Sequence, residues 1–112
     1  MHMKNKVAIV TGGGGGIGAA SCKALAHEGV SVAIVDINLE KARKVAEAIT
    51  SEGASALAIE VDVTSQKSVY STVQRVVDHF GKIDVFVAKM GSWYHAHNAR
   101  KSIFSIHDFR EK

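Results

Sequence analysis

The sequence predicts an α/β fold: a doubly wound parallel sheet of four strands in the spatial order 3-2-1-4, with an irregular C-terminal tail. Three observations predict it. Four short runs are apolar along their whole length, as strands are when helices cover both faces of their sheet. Three segments of helical apolar spacing alternate with those runs, the order of a sheet built from strand–helix–strand units. Each helical segment stops at a glycine, the residue that a helix C-terminus favours. A length of 112 residues, 46% hydrophobic and 22% charged, suits a single globular domain.

The first strand is Lys6 to Thr11 (KVAIVT), rich in β-branched residues. Ile17 to Glu28 follows as a helix predicted to bury Ile17, Ala20, Ala24 and Leu25, and Gly29 ends it. The second strand, Val32 to Val35 (VAIV), is closed by Asp36. Asn38 is a suitable N-cap for a second helix that buries Leu39, Ala42, Val45, Ala46 and Ile49 and ends at Gly53. The third strand is Ala56 to Val61 (ALAIEV), followed by Asp62. Thr64 or Ser65 caps the third helix, whose buried face is Val69, Val73, Val76, Val77 and Phe80, before Gly81. Ile83 to Val87 (IDVFV) is the fourth strand. Right-handed crossovers between these strands lead to the order 3-2-1-4. Beyond Gly91 the pattern stops: residues 92–112 show no helical stripe and no strand alternation, so the chain divides into an ordered segment, 1–91, and a tail.

Composition excludes several classes. The formal net charge is +3, of which +2 lies in residues 94–112. No aromatic or Arg-rich motif accompanies that excess, so it reads as a solvated tail and no nucleic-acid partner is expected. No apolar run approaches the length of a membrane span, and Met1 to Lys6 is short and polar, unlike a secretory signal. Cys22 is the only cysteine, which forbids an internal disulfide and makes the cytoplasm the expected compartment; a buried structural thiol is its expected state. His95 and His97 have no Cys or carboxylate at matching spacing, so no metal site is expected.

The run VTGGGGGIGAA, Val10 to Ala20, holds six of the ten glycines. Two phosphate-binding patterns fit the same letters. Gly-x-Gly-x-x-Gly is met by Gly13, Gly15 and Gly18; Thr-Gly-x-x-x-Gly-Ile-Gly is met by Thr11, Gly12, Gly16, Ile17 and Gly18. The first glycine of such a turn directly follows its strand. The first register needs an extra glycine before the turn, and the second needs none and accounts for Thr11 and Ile17. In the second register Gly12 lets the chain leave the strand at an unusual dihedral, Gly16 leaves room for a pyrophosphate, and Gly18 lets the helix pack close to the sheet. Gly13, Gly14 and Gly15 fill variable positions. The helix start then offers free N–H groups and partial positive charge to phosphates.

These residues resemble the short-chain dehydrogenase/reductase family, over roughly residues 4–91. Thr11-Gly12-x-x-x-Gly16-Ile17-Gly18 is similar to the family's cofactor turn, Val61-Asp62-Val63-Thr64 to its adenine-side segment, and Phe80 to Val87 (FGKIDVFV) to its approach to the fourth strand. The resemblance implies a Rossmann-type dinucleotide-binding segment. Asp36, 18 residues after Gly18, is placed to accept hydrogen bonds from the ribose hydroxyls of NAD and to repel the extra phosphate of NADP, so NAD rather than NADP is the expected cofactor. Asp62 resembles the residue that hydrogen-bonds the adenine, with the Val63 backbone beside it. Intact relatives would transfer hydride between NAD(P) and an alcohol/carbonyl pair and form homo-oligomers.

The sequence departs from the family beyond the fourth strand. Ala88-Lys89-Met90-Gly91 stands where the family has Asn-Asn-Ala-Gly, and Gly91 alone matches. The family's catalytic Ser and Tyr-x-x-x-Lys are missing: Gln74 lies four residues after Tyr70, and Asn98 four after Tyr94. No catalytic residue is therefore assigned. The chain is expected to be the NAD-binding half of such an enzyme, inactive alone; the alternative is a non-catalytic truncated module or an unstable remnant. Trp93 to Asn98 back-translated and read one base later allows Gly-Ile-Met-Pro-Ile, a segment suited to the family after its Asn-Asn-Ala-Gly. A frameshift near Ala88 to Ser92 is the corresponding expectation. Reading the coding sequence one base later from this point is expected to reveal a Tyr-x-x-x-Lys, and its absence refutes the frameshift.

Overall fold

A computed structural model describes residues 3–62 and 64–87. Four strands and three helices alternate: β1 (Val7–Thr11), α1 (Gly16–His27), β2 (Ser31–Asp36), α2 (Leu39–Ser51), β3 (Ala56–Glu60), α3 (Gln66–Phe80) and β4 (Val85–Val87). The strands form one parallel sheet in the order β3-β2-β1-β4, as the sequence predicts. The register places Thr11 beside Val35 and Asp36 beside Glu60, so the ends of β1, β2 and β3 are level.

Side-chain alternation along the strands divides the core in two. Ala8, Val10, Val32 and Ile34 point to one face, where they meet Cys22 of α1 and Ala42, Val45 and Ile49 of α2. Val7, Ile9, Ala33, Val35 and Ile59 point to the other, against Val69, Val73 and Val76 of α3. β1 and β2 are buried on both faces, whereas β3 is half-buried up to Ile59 with Glu60 exposed, and β4 is half-buried throughout. The uniform apolar pattern thus reflects full coverage only in the two central strands.

The helix ends follow their sequence signals. Asn38 accepts from the Lys41 N–H (3.1 Å) and Ser65, not Thr64, accepts from the Ser68 N–H (3.1 Å). Gly29, Gly53 and Gly81 all have positive φ, the left-handed conformation of a helix stop. The predicted faces need correction. In α1 the fully buried residue is Cys22, with Ala19, Leu25 and Ala26 packed beside it, while Ala20 and Ala24 are exposed and Ile17 is 85% exposed. Four residues of α1's first two turns are Gly or Ala, so apolar spacing there carries little directional information. Leu39 and Ala46 of α2 and Val77 and Phe80 of α3 are only half-buried. Thr72 of α3 is buried instead, its hydroxyl donating to the Ser68 carbonyl at 3.0 Å, a bond that lets a hydroxyl sit on an apolar face.

The edge of the sheet opposite the glycine turn is clasped by Asp84. Its carboxylate accepts from the Val7 N–H (2.9 Å) and pairs with the Lys82 ammonium (3.1 Å), while the Asp84 N–H donates to the Val7 carbonyl at 2.8 Å. Partial burial pushes this carboxyl up, but the Val7 N–H and the Lys82 and Lys6 charges together outweigh it and hold it below its usual value. Asp84→Ala leaves the buried Val7 without that acceptor and is expected to cost about 1–2 kcal/mol in urea unfolding at neutral pH. A carboxyl lowered by folding stabilises above its unfolded pKa and loses that effect as pH falls through the folded one. The gap between parent and variant is therefore expected to close below about pH 4; a gap that persists there excludes the carboxylate as its source.

Candidate functional site

The site is built where β1 runs into α1. Thr11 is buried at the end of β1, and its hydroxyl donates to the Val87 carbonyl at the end of β4 (3.4 Å). Gly12 follows directly with φ +66°, and Gly16 opens α1 with φ +53°. This is the conformation that the Gly12-Gly16-Gly18 register requires, because a side chain at either position is strained. Gly18 has a different reason. A Cβ there would run into the Gly12 carbonyl oxygen and lie 3.0 Å from the Gly13 Cα. The close approach is thus of helix to turn, not of helix to sheet as expected from the sequence.

Gly13 and Gly14 are not the free positions that the sequence suggests. A Cβ on Gly13 would lie 2.9 Å from Ile34 Cγ2, 3.0 Å from the Val10 carbonyl oxygen and 3.1 Å from Cys22 Sγ. One on Gly14 would lie 2.7 Å from Lys41 Cβ and 2.9 Å from both Ala42 N and Asp36 Oδ2. Gly15 and Gly16, by contrast, have open space where a side chain would be. Cys22 is fully buried beneath the turn, its thiol directed at the Gly13 carbonyl at 3.9 Å. Burial pushes that thiol up to about 12, so it is un-ionised and unreactive at neutral pH.

The start of α1 fits a diphosphate. Gly15 gives it no side-chain cap, in contrast to Asn38 on α2 and Ser65 on α3, and no acidic residue stands in its first turn. An uncapped helix start beside open space attracts an anion through its N–H groups and dipole. Ile17, in the same turn, exposes a large apolar side chain.

Asp36 ends β2 level with the turn. Its Oδ2 accepts from the Gly14 N–H and its Oδ1 from the Asn38 N–H, both at 2.9 Å. The carboxylate is half-buried and its oxygens have further lone pairs. Ile37, which the sequence reading overlooks, is 72% exposed immediately beside it; an apolar residue trailing an acidic strand end was the available signal. The Val61 N–H donates to the Asp36 carbonyl (3.1 Å), which brings Asp62 to the same end of the sheet. The Asp62 carboxylate accepts from the Thr64 N–H (3.0 Å) and hydroxyl, and its own N–H donates to Ser68 Oγ (3.1 Å). Asp62 therefore shapes the start of α3, whatever it does for a ligand. The structure thus gathers Thr11, Gly12, Gly16, Ile17, Gly18, Asp36 and Asp62 at the carboxyl ends of the strands. Val63, Gly91, Lys89, His95 and His97 lie outside the described residues, and so does the whole of 92–112. Among the described residues no group of three or more His, Cys, Asp or Glu could hold a metal ion, and no helix is long and apolar enough to cross a membrane.

A parallel sheet whose strand order reverses at β1, with a glycine turn there and an acidic residue ending β2, defines a dinucleotide-binding α/β protein. The chain belongs to the short-chain dehydrogenase family, whose sequence model matches residues 6–111. That match runs through the stretch that the residue pattern alone leaves irregular. The chain is 44% identical over 93 residues to 15-hydroxyprostaglandin dehydrogenase [NAD(+)] of Bos taurus, covering 81% of this chain and 35% of that protein. A hydroxysteroid dehydrogenase from Escherichia coli superimposes with a TM-score of 0.76 at 33% identity, over 78% of this chain and 37% of that one. An NAD+-bound xylitol dehydrogenase superimposes at 0.73 with 41% identity, over 77% and 33%. The chain therefore spans about a third of the length of the curated relatives it matches, and the match is to the N-terminal region of these oxidoreductases.

The glycines make separable predictions. Gly18→Ala is expected to lower stability by about 2–3 kcal/mol, since backbone atoms block it, and Gly13→Ala by about 1–2 kcal/mol, since the obstacles include side chains that can shift. Gly15→Ala is expected to stay within about 0.5 kcal/mol of the parent. Urea unfolding of the three variants checks the order, and a Gly15→Ala as damaging as Gly18→Ala refutes the turn geometry.

Proposed function

We propose that the chain binds NAD across the carboxyl ends of β1, β2 and β3, as the cofactor-binding part of a dehydrogenase acting on an alcohol/carbonyl pair. The observation that carries this reading is the Asp36 carboxylate, held by two backbone N–H groups beside an uncapped helix start. Bound there, NAD would supply the hydride acceptor. The first turn of α1 would hold the diphosphate, with Gly16 leaving its approach open. Asp36 would accept hydrogen bonds from the two adenosine ribose hydroxyls, since both its oxygens keep unused lone pairs. Asp62 and the Val63 backbone would lie on the adenine side, and Gly91 beyond β4. A 2′-phosphate would meet the Asp36 charge, which favours NAD over NADP. That 15-hydroxyprostaglandin dehydrogenase is named for NAD(+), and that the xylitol dehydrogenase was solved with NAD+ bound, supports the same preference. The single cysteine, buried and protonated, suits the cytoplasm.

A second reading applies to this polypeptide alone: it binds the dinucleotide without turning over substrate. The sequence favours it because Tyr70 and Tyr94 are followed four residues later by Gln74 and Asn98, so no Tyr-x-x-x-Lys is formed. That motif's tyrosine and lysine would handle the proton of the alcohol.

Fluorescence titration with NADH and NADPH tests both readings. NADH is expected to bind more tightly than NADPH. Asp36→Ala is expected to weaken NADH roughly 10- to 100-fold, the range of one or two lost hydrogen bonds to a charged group, and to leave NADPH no weaker. Equal loss for both dinucleotides would remove Asp36 from ribose recognition. Oxidation of any member of an alcohol panel would overturn the non-catalytic reading.

A further inference from the structure

A second cleft opens between α1 and α2 at the ends of both helices, beside the amino ends of the strands and away from the glycine turn. Its volume is about 230 Å³. One wall is α1, with Lys23, Ala26 and His27; the other is α2 and its C-cap, with Ala48, Ile49 and Glu52; Ala54, ahead of β3, closes the end. The size of the facing side chains accounts for the opening. Nearer the glycine turn, Cys22 and Ala42 are fully buried. At the far end the facing residues are Ala26 and Ala48, both half-buried, and the gap reaches down to the buried Ile49.

The mouth of this cleft is charged. Lys23 and His27 stand four residues apart and so share one side of α1, and Glu52 faces them from α2; all three are exposed. Opposite charges thus occupy opposite walls. They do not pair across the gap: the one ion pair among the described residues is Lys82 with Asp84. The cleft is too wide for Lys23 and Glu52 to meet, and its apolar floor gives neither a partner.

We infer that this cleft is a binding site for a small zwitterion with a branched aliphatic body, of the α-amino-acid type. The ligand's carboxylate meets the Lys23 ammonium and the His27 ring N–H, its ammonium meets Glu52, and its aliphatic part lies against Ala26, Ala48 and Ile49. The volume falls below the roughly 300–1,000 Å³ of sites for drug-sized molecules, which limits the ligand to this size. A ligand of single charge would pair with one wall and strip water from the other without replacing it. A zwitterion gives each wall a partner and spans the distance that Lys23 and Glu52 leave open. The cleft shares no residue with the dinucleotide site, so the inference stands apart from the reading of Asp36.

The test is an NMR titration of the full chain that follows the Ala26, Ala48 and Ala54 methyl signals. The probes are L-leucine, 4-methylpentanoate, which lacks its ammonium, and 3-methylbutylamine, which lacks its carboxylate. L-leucine is expected to shift these signals saturably, and each single-charge analogue to bind at least threefold more weakly. Lys23→Gln and Glu52→Gln are each expected to weaken L-leucine about three- to fivefold, the range of one exposed charge pair. Lys23→Gln should leave 3-methylbutylamine within twofold, and Glu52→Gln should do the same for 4-methylpentanoate. Ala48→Leu fills the cleft and is expected to weaken L-leucine at least tenfold, with the thermal midpoint as the check on folding; if that variant does not fold, the two charge variants carry the test. No saturable shift with L-leucine, equal binding of all three probes, or charge variants that bind L-leucine as the parent does would each overturn the inference. NADH binding is expected to be unchanged in Lys23→Gln and Glu52→Gln, and a loss there would overturn the independence of the two sites.

Discussion

The contact that the rest of the structure depends on is the approach of α1 to the Gly12 and Gly13 backbone, with no room for a side chain at Gly18. It fixes where the helix starts relative to the end of β1. From that point three bonds spread into the sheet: Gly13 N–H to the Val35 carbonyl (3.2 Å), Gly14 N–H to Asp36 (2.9 Å) and the Thr11 hydroxyl to the Val87 carbonyl (3.4 Å). The turn is therefore joined to β2 and β4, the two neighbours of β1. Loosening it would move the uncapped start of α1 and the acidic strand end together. A cofactor that touches both needs them at a fixed separation, and backbone contacts hold a separation more stiffly than exposed side chains do.

The two sheet faces are filled differently, and the difference bears on the site. Ala8, Ala56 and Ala58 lie on the face of α1 and α2, where two helices pack over residues of all four strands. Small residues there let both helices come close to the sheet. The other face carries Ile9, Ile59 and Phe86 under the single helix α3. Ala42, on the crowded face, has no exposed surface, so the start of α2 is pressed onto the glycine turn by core packing and not by the turn alone. The side-chain volumes of the core thus reach the site through Lys41 and Ala42.

Much of this was legible in the sequence. Strand order, helix stops and the caps at Asn38 and Ser65 follow from local signals that the structure repeats, because each is a short-range effect of backbone chemistry. The glycine register was legible because the strand end and Ile17 select it. What escaped has a common cause. The buried face of α1 was misjudged because its residues are nearly all small and apolar, and the side that packs is chosen by Cys22 meeting Gly13 and Ile34. Spacing alone makes Ile17 core, but its position in the first turn puts it outside. Gly13 and Gly14 look like variable positions in the sequence because a glycine's need for space depends on neighbours distant in the chain, here Ile34, Asp36 and Lys41. Residues 92–112 carry no periodic signal, although the family match reaches residue 111.

A run of five glycines would ordinarily signal a flexible segment, since each costs roughly 0.5–1 kcal/mol more than Ala to order. The structure shows that four of the five could not easily be anything else. Gly12 and Gly16 take positive φ, and Gly13 and Gly14 are closed in by Ile34, Cys22, Lys41 and Asp36. Gly15 alone is free of both constraints, with an extended backbone and open space around it. It is also the one position where a Ser or Asp would cap α1 and satisfy its N–H groups within the chain. A cap there would raise the stability of the helix and occupy the donors that an anion would otherwise use. Its absence, at the only start among the three helices without a side-chain cap, is what a turn shaped for an external anion requires.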